Sequence, residues 1–138
     1  MTEHDDRQAR FDRGMALLNE ISGGIGPAVV ESLADVSPEL AHQTMAWGYG
    51  EIYSRPQLAP RDRQLVTIGM LTALGGCESQ LRVHINIGLN VGLTPTEIVE
   101  ALLQSAGYCG FPRALNATTV AKEVFAERGL LPVETTVD

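Results

Sequence analysis

The sequence predicts an all-α fold, six or seven helices in a single domain over residues 1–138. Three observations predict it. Apolar residues recur at three- and four-residue spacings, as on the faces of helices. Proline and glycine stand where helices start and stop, with Pro38, Pro60, Pro95 and Pro112 opening segments and Gly75, Gly92, Gly110 and Gly129 closing them. No segment alternates apolar and polar residues over the length of a strand.

The first helix spans residues 5 to 21, where Phe11, Met15, Leu18 and, less cleanly, Leu17 and Ile21 form an apolar stripe. Ser22 to Gly26 breaks it, because successive glycines are entropically costly in a helix. Pro27 to Ala34 makes one short helix. Ser37-Pro38 then pairs an N-cap serine with a proline at the first helical position, starting a helix that runs to about Tyr53 and ends before Pro56. Trp47 on it reads as core. Pro60 opens the next helix, with Arg61, Asp62 and Arg63 on its first turn as structural or interface charges. Leu65, Ile68, Leu71 and Thr72 repeat along it, and Gly75-Gly76 stops it.

A helix from Cys77 to Val91 follows, ending at Gly92. Thr94-Pro95-Thr96-Glu97 is a capping box, in which threonine and glutamate satisfy each other's backbone amides. Ile98, Leu102 and Ser105 line one face of the helix that it opens; Val99, Leu103 and Ala106 line the neighbouring one. The last long helix runs from Pro112 to about Arg128, and the tail from Pro132 to Asp138 reads as loosely ordered.

The helices at 64–74, 81–91 and 98–106 are apolar around most of their circumference. A small monomer has too little interior to bury all of that surface, so another copy of the chain is expected to cover part of it.

Composition narrows the function. The net charge is −7, with 44% hydrophobic and 20% charged residues. That surface argues against nucleic acid, whose phosphates call for basic side chains. No apolar run approaches the roughly 20 residues that span a bilayer. The acidic start, Met1-Thr2-Glu3-His4-Asp5-Asp6, lacks the basic region and apolar core of a signal peptide, so a cytoplasmic location is expected. Cys77 and Cys109 lie far apart in sequence, and a structural disulfide is not expected in a reducing compartment. The histidines share no zinc-ligand spacing with them. Gly23-Gly24-Ile25-Gly26 lacks the lysine of a phosphate loop and reads as a turn.

The chemistry concentrates in Gly75 to Asn86. In helical register Cys77, Gln80, Leu81, His84 and Gly88 share one face. A histidine on an apolar face is either a core side chain satisfied by a backbone carbonyl or a group that moves protons. Both readings stand on spacing alone.

Four ordered blocks add a resemblance: Arg61-x-Arg63-x-Leu65-Val66-Thr67-Ile68, Gln80-Leu81-Arg82-Val83-His84, Gly92-Leu93-Thr94-x-x-Glu97-Ile98-x-Glu100, and Gln104-x-x-x-Tyr108-x-Gly110-x-Pro112-x-Ala114. Together they resemble the carboxymuconolactone decarboxylase family, which has the alkylhydroperoxidase D-like fold, over residues 45 to 127. Tyr49-Gly50-Glu51-Ile52-Tyr53-Ser54-Arg55-Pro56 resembles its decarboxylase branch. The resemblance implies an all-helical trimer or hexamer. The peroxidase branch carries two cysteines three residues apart, with a histidine four residues after the second. Here Cys77, Gln80 and His84 fall on those positions, so the second thiol is missing. Some decarboxylases carry a carboxylate where this chain has Ser79-Gln80.

The reaction implied is loss of carbon dioxide from a small unsaturated carboxylated lactone such as 4-carboxymuconolactone, a small-molecule substrate. The lactone carbonyl accepts the electron pair, forming a dienolate, so no metal, flavin or other cofactor is called for. The resemblance makes His84 the general acid–base. Glu51 is a second proton-transfer group or the partner that orients His84; its bland alternative is a surface pair with Arg55. Arg55 suits a substrate carboxylate, and Gln80 a carbonyl oxygen. Tyr108 and Cys77 line the pocket. The rival readings are a thiol-dependent peroxidase or redox protein using Cys77, a related ring isomerase or tailoring enzyme, and a binding or assembly protein.

Overall fold

The structure, a computed structural model, describes residues 2–135, apart from the side chains of His4 and Asp5. Among those residues every regular element is helical. There are seven α-helices, α1 (Glu3–Ser22), α2 (Gly26–Leu33), α3 (Pro38–Gln43), α4 (Pro60–Leu74), α5 (Glu78–Asn90), α6 (Pro95–Cys109) and α7 (Phe111–Glu127), with a π-helix (Thr44–Tyr53) directly after α3. No helix among the described residues is long and apolar enough to cross a membrane. The chain divides into two compact units, Met1–Leu58 and Ala59–Asp138.

In the first unit α1 lies along the π-helix. The two backbones touch: a Cβ on Gly14 would stand 1.7 Å from the Met45 carbonyl oxygen, and one on Gly50 would stand 2.5 Å from that of Arg10. Only residues without side chains allow this approach. Leu18, Met45, Ala46 and Tyr49 fill the interior around it. Arg13 Nε donates to the Gly50 carbonyl at 2.9 Å, and Arg7 pairs with Glu39. The continuous helix expected up to Tyr53 is present, since Gln43 and Thr44 keep helical dihedrals between α3 and the π-helix. Two expectations fail. Ser37 makes no side-chain cap; its backbone, at φ −154° and ψ 73°, leaves the hydroxyl without an amide of the first turn. Trp47 is 59% exposed, because it stands between Met45 and Tyr49 on the side of the helix opposite their buried face.

In the second unit α4 begins at Pro60 and stops at Gly75, whose φ of +67° suits glycine. The Arg113 guanidinium fills the space where a side chain at Gly75 would sit, and donates to the Leu74 carbonyl. The capping box opens α6 as expected: the Glu97 amide donates to Thr94 Oγ1 at 3.1 Å, and the Thr94 amide to Glu97 Oε1 at 3.1 Å. Glu97 also pairs with Arg61, joining α4 to α6. The core contains Ile68, Leu81, Ile85, Ile98, Leu102, Val124 and Phe125. Arg82 donates to Glu123 and Glu127, joining α5 to α7 along their exposed flank.

The tail differs from expectation. Thr96 Oγ1 donates to the Glu134 carbonyl at 2.8 Å, and Val133 packs on the core, so apolar burial and one hydrogen bond dock residues 133–134. Residues 136–138 lie outside the described residues. The surplus of apolar helix surface is there: Val66, Met70 and Leu74 on α4, and Leu103 and Tyr108 on α6, stand more than half exposed.

Candidate active site

Helix α5, which holds the candidate residues Gln80 and His84, is bounded by glycines at both ends. Gly75 and Gly76, at φ +67° and +70°, turn the chain out of α4, and Gly92 at φ +107° turns it out after α5. Leu81, Ile85, Ile87 and Gly88 bury one side of the helix. Gly88 meets α4 at ordinary van der Waals distance, an added Cβ lying 3.6 Å from Ile68 and 3.7 Å from Gln64 Cβ, while the tight neighbour at 2.9 Å is the Leu93 side chain beyond the helix.

In this α4–α5 packing Gln64 meets His84. Gln64 is 1% exposed, a polar side chain inside the core. Its Oε1 stands 2.9 Å from His84 Nδ1. An amide oxygen only accepts, so the ring nitrogen donates. The neutral ring then carries its proton on Nδ1 and its lone pair on Nε2. Burial pushes the His84 pKa down to about 4, so the ring is neutral at neutral pH. A half-buried neutral imidazole with one nitrogen held by an amide and the other basic is equipped to accept a proton and return it.

Cys77 is the N-cap of α5 rather than a member of its first turn, and its side chain makes no cap bond. The thiol donates to the Gly75 carbonyl at 3.5 Å. It faces a void of about 10 Å³, lined also by Leu71, Thr72, Leu81, Arg113 and Asn116. That is room for a single water. Gln80, one turn before His84, is exposed. Tyr108 is 90% exposed and lines a groove of about 370 Å³ between α4 and α6 with Val66, Gly69, Ala73, Gln104 and Cys109. Neither His84 nor Cys77 lines that groove. The Cys109 thiol donates to the Ser105 carbonyl at 3.0 Å, and both cysteines are free.

Glu51 and Arg55 belong to the first unit. Glu51 stands in the π-helix, and its Oε1 accepts from Arg10 Nη1 at 2.9 Å. Both partners are about one-third exposed. Tyr49, two residues earlier, is buried, which pushes its phenol up to about 12, and its ring centroid lies 5.1 Å from that of Tyr53. Arg55 follows the end of the π-helix, exposed, with its amide bonded to the Ile52 carbonyl.

The spacing of residues did not disclose Gln64 or Arg10 as partners. The available signal for the first was a glutamine in helical register with Ile68 and Thr72, and these three residues form the buried face of α4.

The model of the carboxymuconolactone decarboxylase family matches residues 38–123, from the start of α3 into α7. The chain is 33% identical to the 4-carboxymuconolactone decarboxylase of Acinetobacter baylyi over 95% of its own length and 98% of that protein's. It is 29% identical to a nitrosuccinic acid decarboxylase of Metarhizium robertsii, over 82% of this chain and 79% of that one. An uncharacterised 15.0 kDa protein of Paracoccus denitrificans is 27% identical over 89% and 96%.

Proposed function

The chain belongs to the carboxymuconolactone decarboxylase family, and from that premise we propose that it is a carboxy-lyase acting on a small unsaturated carboxylated lactone, 4-carboxymuconolactone being the reference substrate. Two relatives from different chemistries, one named for a lactone and one for a nitro acid, are both named as decarboxylases. The common element of such reactions is a carbanion equivalent that must be stabilised and then protonated.

The observation that carries the reading is His84, neutral and half-buried beside Leu81 and Ile85, with Nδ1 on Gln64. Decarboxylation breaks the bond from the ring carbon to the carboxylate. The electron pair moves through the conjugated double bond onto the lactone oxygen, giving a dienolate. Reforming the carbonyl delivers the pair to carbon, which takes a proton. An anionic substrate beside the ring favours the charged imidazolium, so His84 takes up a proton with the substrate and gives it from Nε2 to carbon. Such positioned proton transfer contributes about 10²–10⁴-fold. Gln80 would serve the substrate's carbonyl and Arg55 its carboxylate, with Glu51 a second proton-transfer or orienting group; Cys77 lines the small void and Tyr108 the groove. The exposed apolar residues of α4 and α6 support a homo-oligomer, a trimer or hexamer, in which another copy covers them.

The thiol-peroxidase reading has less support. Gln80 stands where the second cysteine would, and Cys77 and Cys109 line different cavities.

The experiment follows loss of 4-carboxymuconolactone and appearance of the enol-lactone by absorbance, with the assembly sized by light scattering. Wild type should turn over as a trimer or hexamer, Cys77→Ser should keep most of its activity, and folded His84→Gln should lose about 10²-fold or more. An His84→Gln protein as active as wild type would remove the imidazole from the mechanism, and loss of turnover in Cys77→Ser would favour thiol chemistry.

A further inference from the structure

We propose that Gln64 is the positioning residue of the site: its carboxamide oxygen selects the Nδ1–H tautomer of His84 and so makes Nε2 the nitrogen that exchanges protons with substrate. This deepens the proposed function and rests on His84 as its acid–base group.

Three observations lead here. The contact is short and directional, 2.9 Å from Gln64 Oε1 to His84 Nδ1. Gln64 is held, since it is 1% exposed and Ile68, one turn further along α4, is 0% exposed. Gln64 packs against α5 one turn beyond His84, where the site of a Cβ on Gly88 lies 3.7 Å from Gln64 Cβ, ordinary van der Waals contact. Burying a glutamine in this core carries a desolvation cost that an aliphatic residue would not. The hydrogen bond to the imidazole offsets that cost, and it also gives the ring a fixed orientation.

The choice of amide over carboxylate has a chemical consequence. Histidine in water favours the Nε2–H form, so the tautomer here is imposed by the partner. A carboxylate in the same place would also select Nδ1–H, but it would stabilise the imidazolium as well. The amide orients without adding charge. The resting site therefore holds a neutral ring, and the charge that draws a proton onto it arrives with an anionic substrate.

The test is the two-bond proton–nitrogen NMR spectrum of the imidazoles in the full-length, nitrogen-15-labelled protein at pH 7. The chain has three histidines, and the signals of His84 are those missing in His84→Gln. In wild type, Nδ1 should resonate as a protonated nitrogen and Nε2 as an unprotonated one. Gln64→Leu should move His84 toward the Nε2–H form and lower kcat about tenfold with KM little changed. Gln64→Glu should restore Nδ1 protonation and raise the titration midpoint of the ring. An Nε2–H ring in wild type, or an unchanged tautomer in a folded Gln64→Leu protein, would overturn the proposal. Should Gln64→Leu fail to fold, the wild-type and Gln64→Glu spectra decide alone. The spectra need no substrate, so absence of decarboxylase turnover in wild type would sink the proposed reaction and leave the tautomer assignment standing.

Discussion

In Met1–Leu58 the tightest packing is backbone on backbone, where Gly14 of α1 meets Met45 and Gly50 of the π-helix. In Ala59–Asp138 the core is packed side chain on side chain, with Phe125, Ile85, Ile98 and Leu102 each no more than 1% exposed. The two arrangements respond differently to mutation. A side-chain core tolerates repacking because rotamers can move. A backbone contact has no rotamer to change, so any added atom must move a helix. The glycine contact also fixes the helix that carries Glu51, the residue proposed as a second proton-transfer or orienting group. That helix bonds in the wider i to i+5 pattern, which in other proteins concentrates at functional sites.

The largest effect that tests this contrast is Gly14→Ala. The new Cβ would stand 1.7 Å from the Met45 carbonyl oxygen and 2.8 Å from the Gly50 amide nitrogen, both backbone atoms. Overpacking costs about 1–3 kcal/mol where side chains can yield. Here the expected cost is about 3 kcal/mol or more, read from urea unfolding, with hydrogen exchange accelerated across α1 and the π-helix. A loss below about 0.5 kcal/mol, within the range of an ordinary surface change, would show that the two helices do not meet through their glycines.

Next in size is a pH effect that compares one histidine from each unit. Burial lowers the pKa of His84 to about 4. His42 of the first unit, stacked on Phe11, is lowered in the same direction by burial and then by the positive charge of Arg7. Above pH 6.5 both are neutral whether the chain is folded or unfolded. As pH falls from 6.5 toward 4, the unfolded chain binds protons that the folded chain does not, so stability falls with pH. For His84 the ceiling is about 3 kcal/mol, reduced by the ring's partial exposure to about 2 kcal/mol. Urea midpoints at pH 7.5 and 4.5 measure it. His84→Gln should shrink the difference by about 2 kcal/mol, leaving the part owed to His42 and to carboxylates such as Glu39, and a variant that lost as much as wild type would show that the ring is well solvated.

The same contrast explains what the sequence disclosed. Helix boundaries in the second unit were legible because local chemistry sets them: Pro60 at a start, Gly75 at a stop, Thr94 and Glu97 in a capping box. His84 was legible as a polar group on an apolar face. Its partner was not, since Gln64 reaches it from another helix, twenty residues away in sequence. Glu51 was legible as a candidate, whereas Arg10 lies forty-one residues before it. The change from α- to π-helix at Thr44 also escaped notice, because Thr44–Tyr53 contains no proline and its glycines read equally well as small helical residues. Trp47 was misread for a related reason: aromatic size suggests burial, but exposure depends on which side of the helix meets α1.

The smallest effect reverses the sign of the first. Gly69 lies inside α4, and a Cβ built there meets nothing within 4 Å. Its φ is not among the positive values of the chain's glycines. Alanine has the higher helix propensity by about 1 kcal/mol and narrows the unfolded ensemble. Gly69→Ala should therefore stabilise the second unit by about 0.5–1 kcal/mol in urea unfolding, although Gly14→Ala, the same substitution, destabilises the first. Gly69 also lines the groove with Val66 and Tyr108. If another copy of the chain approaches there as closely as the π-helix approaches Gly14, the added methyl group would weaken assembly while stabilising the isolated fold. Measuring unfolding and oligomer size on the same variant separates those outcomes. A gain in stability with the assembly unchanged means that Gly69 is needed by neither, and a gain accompanied by dissociation assigns the glycine to contact between copies.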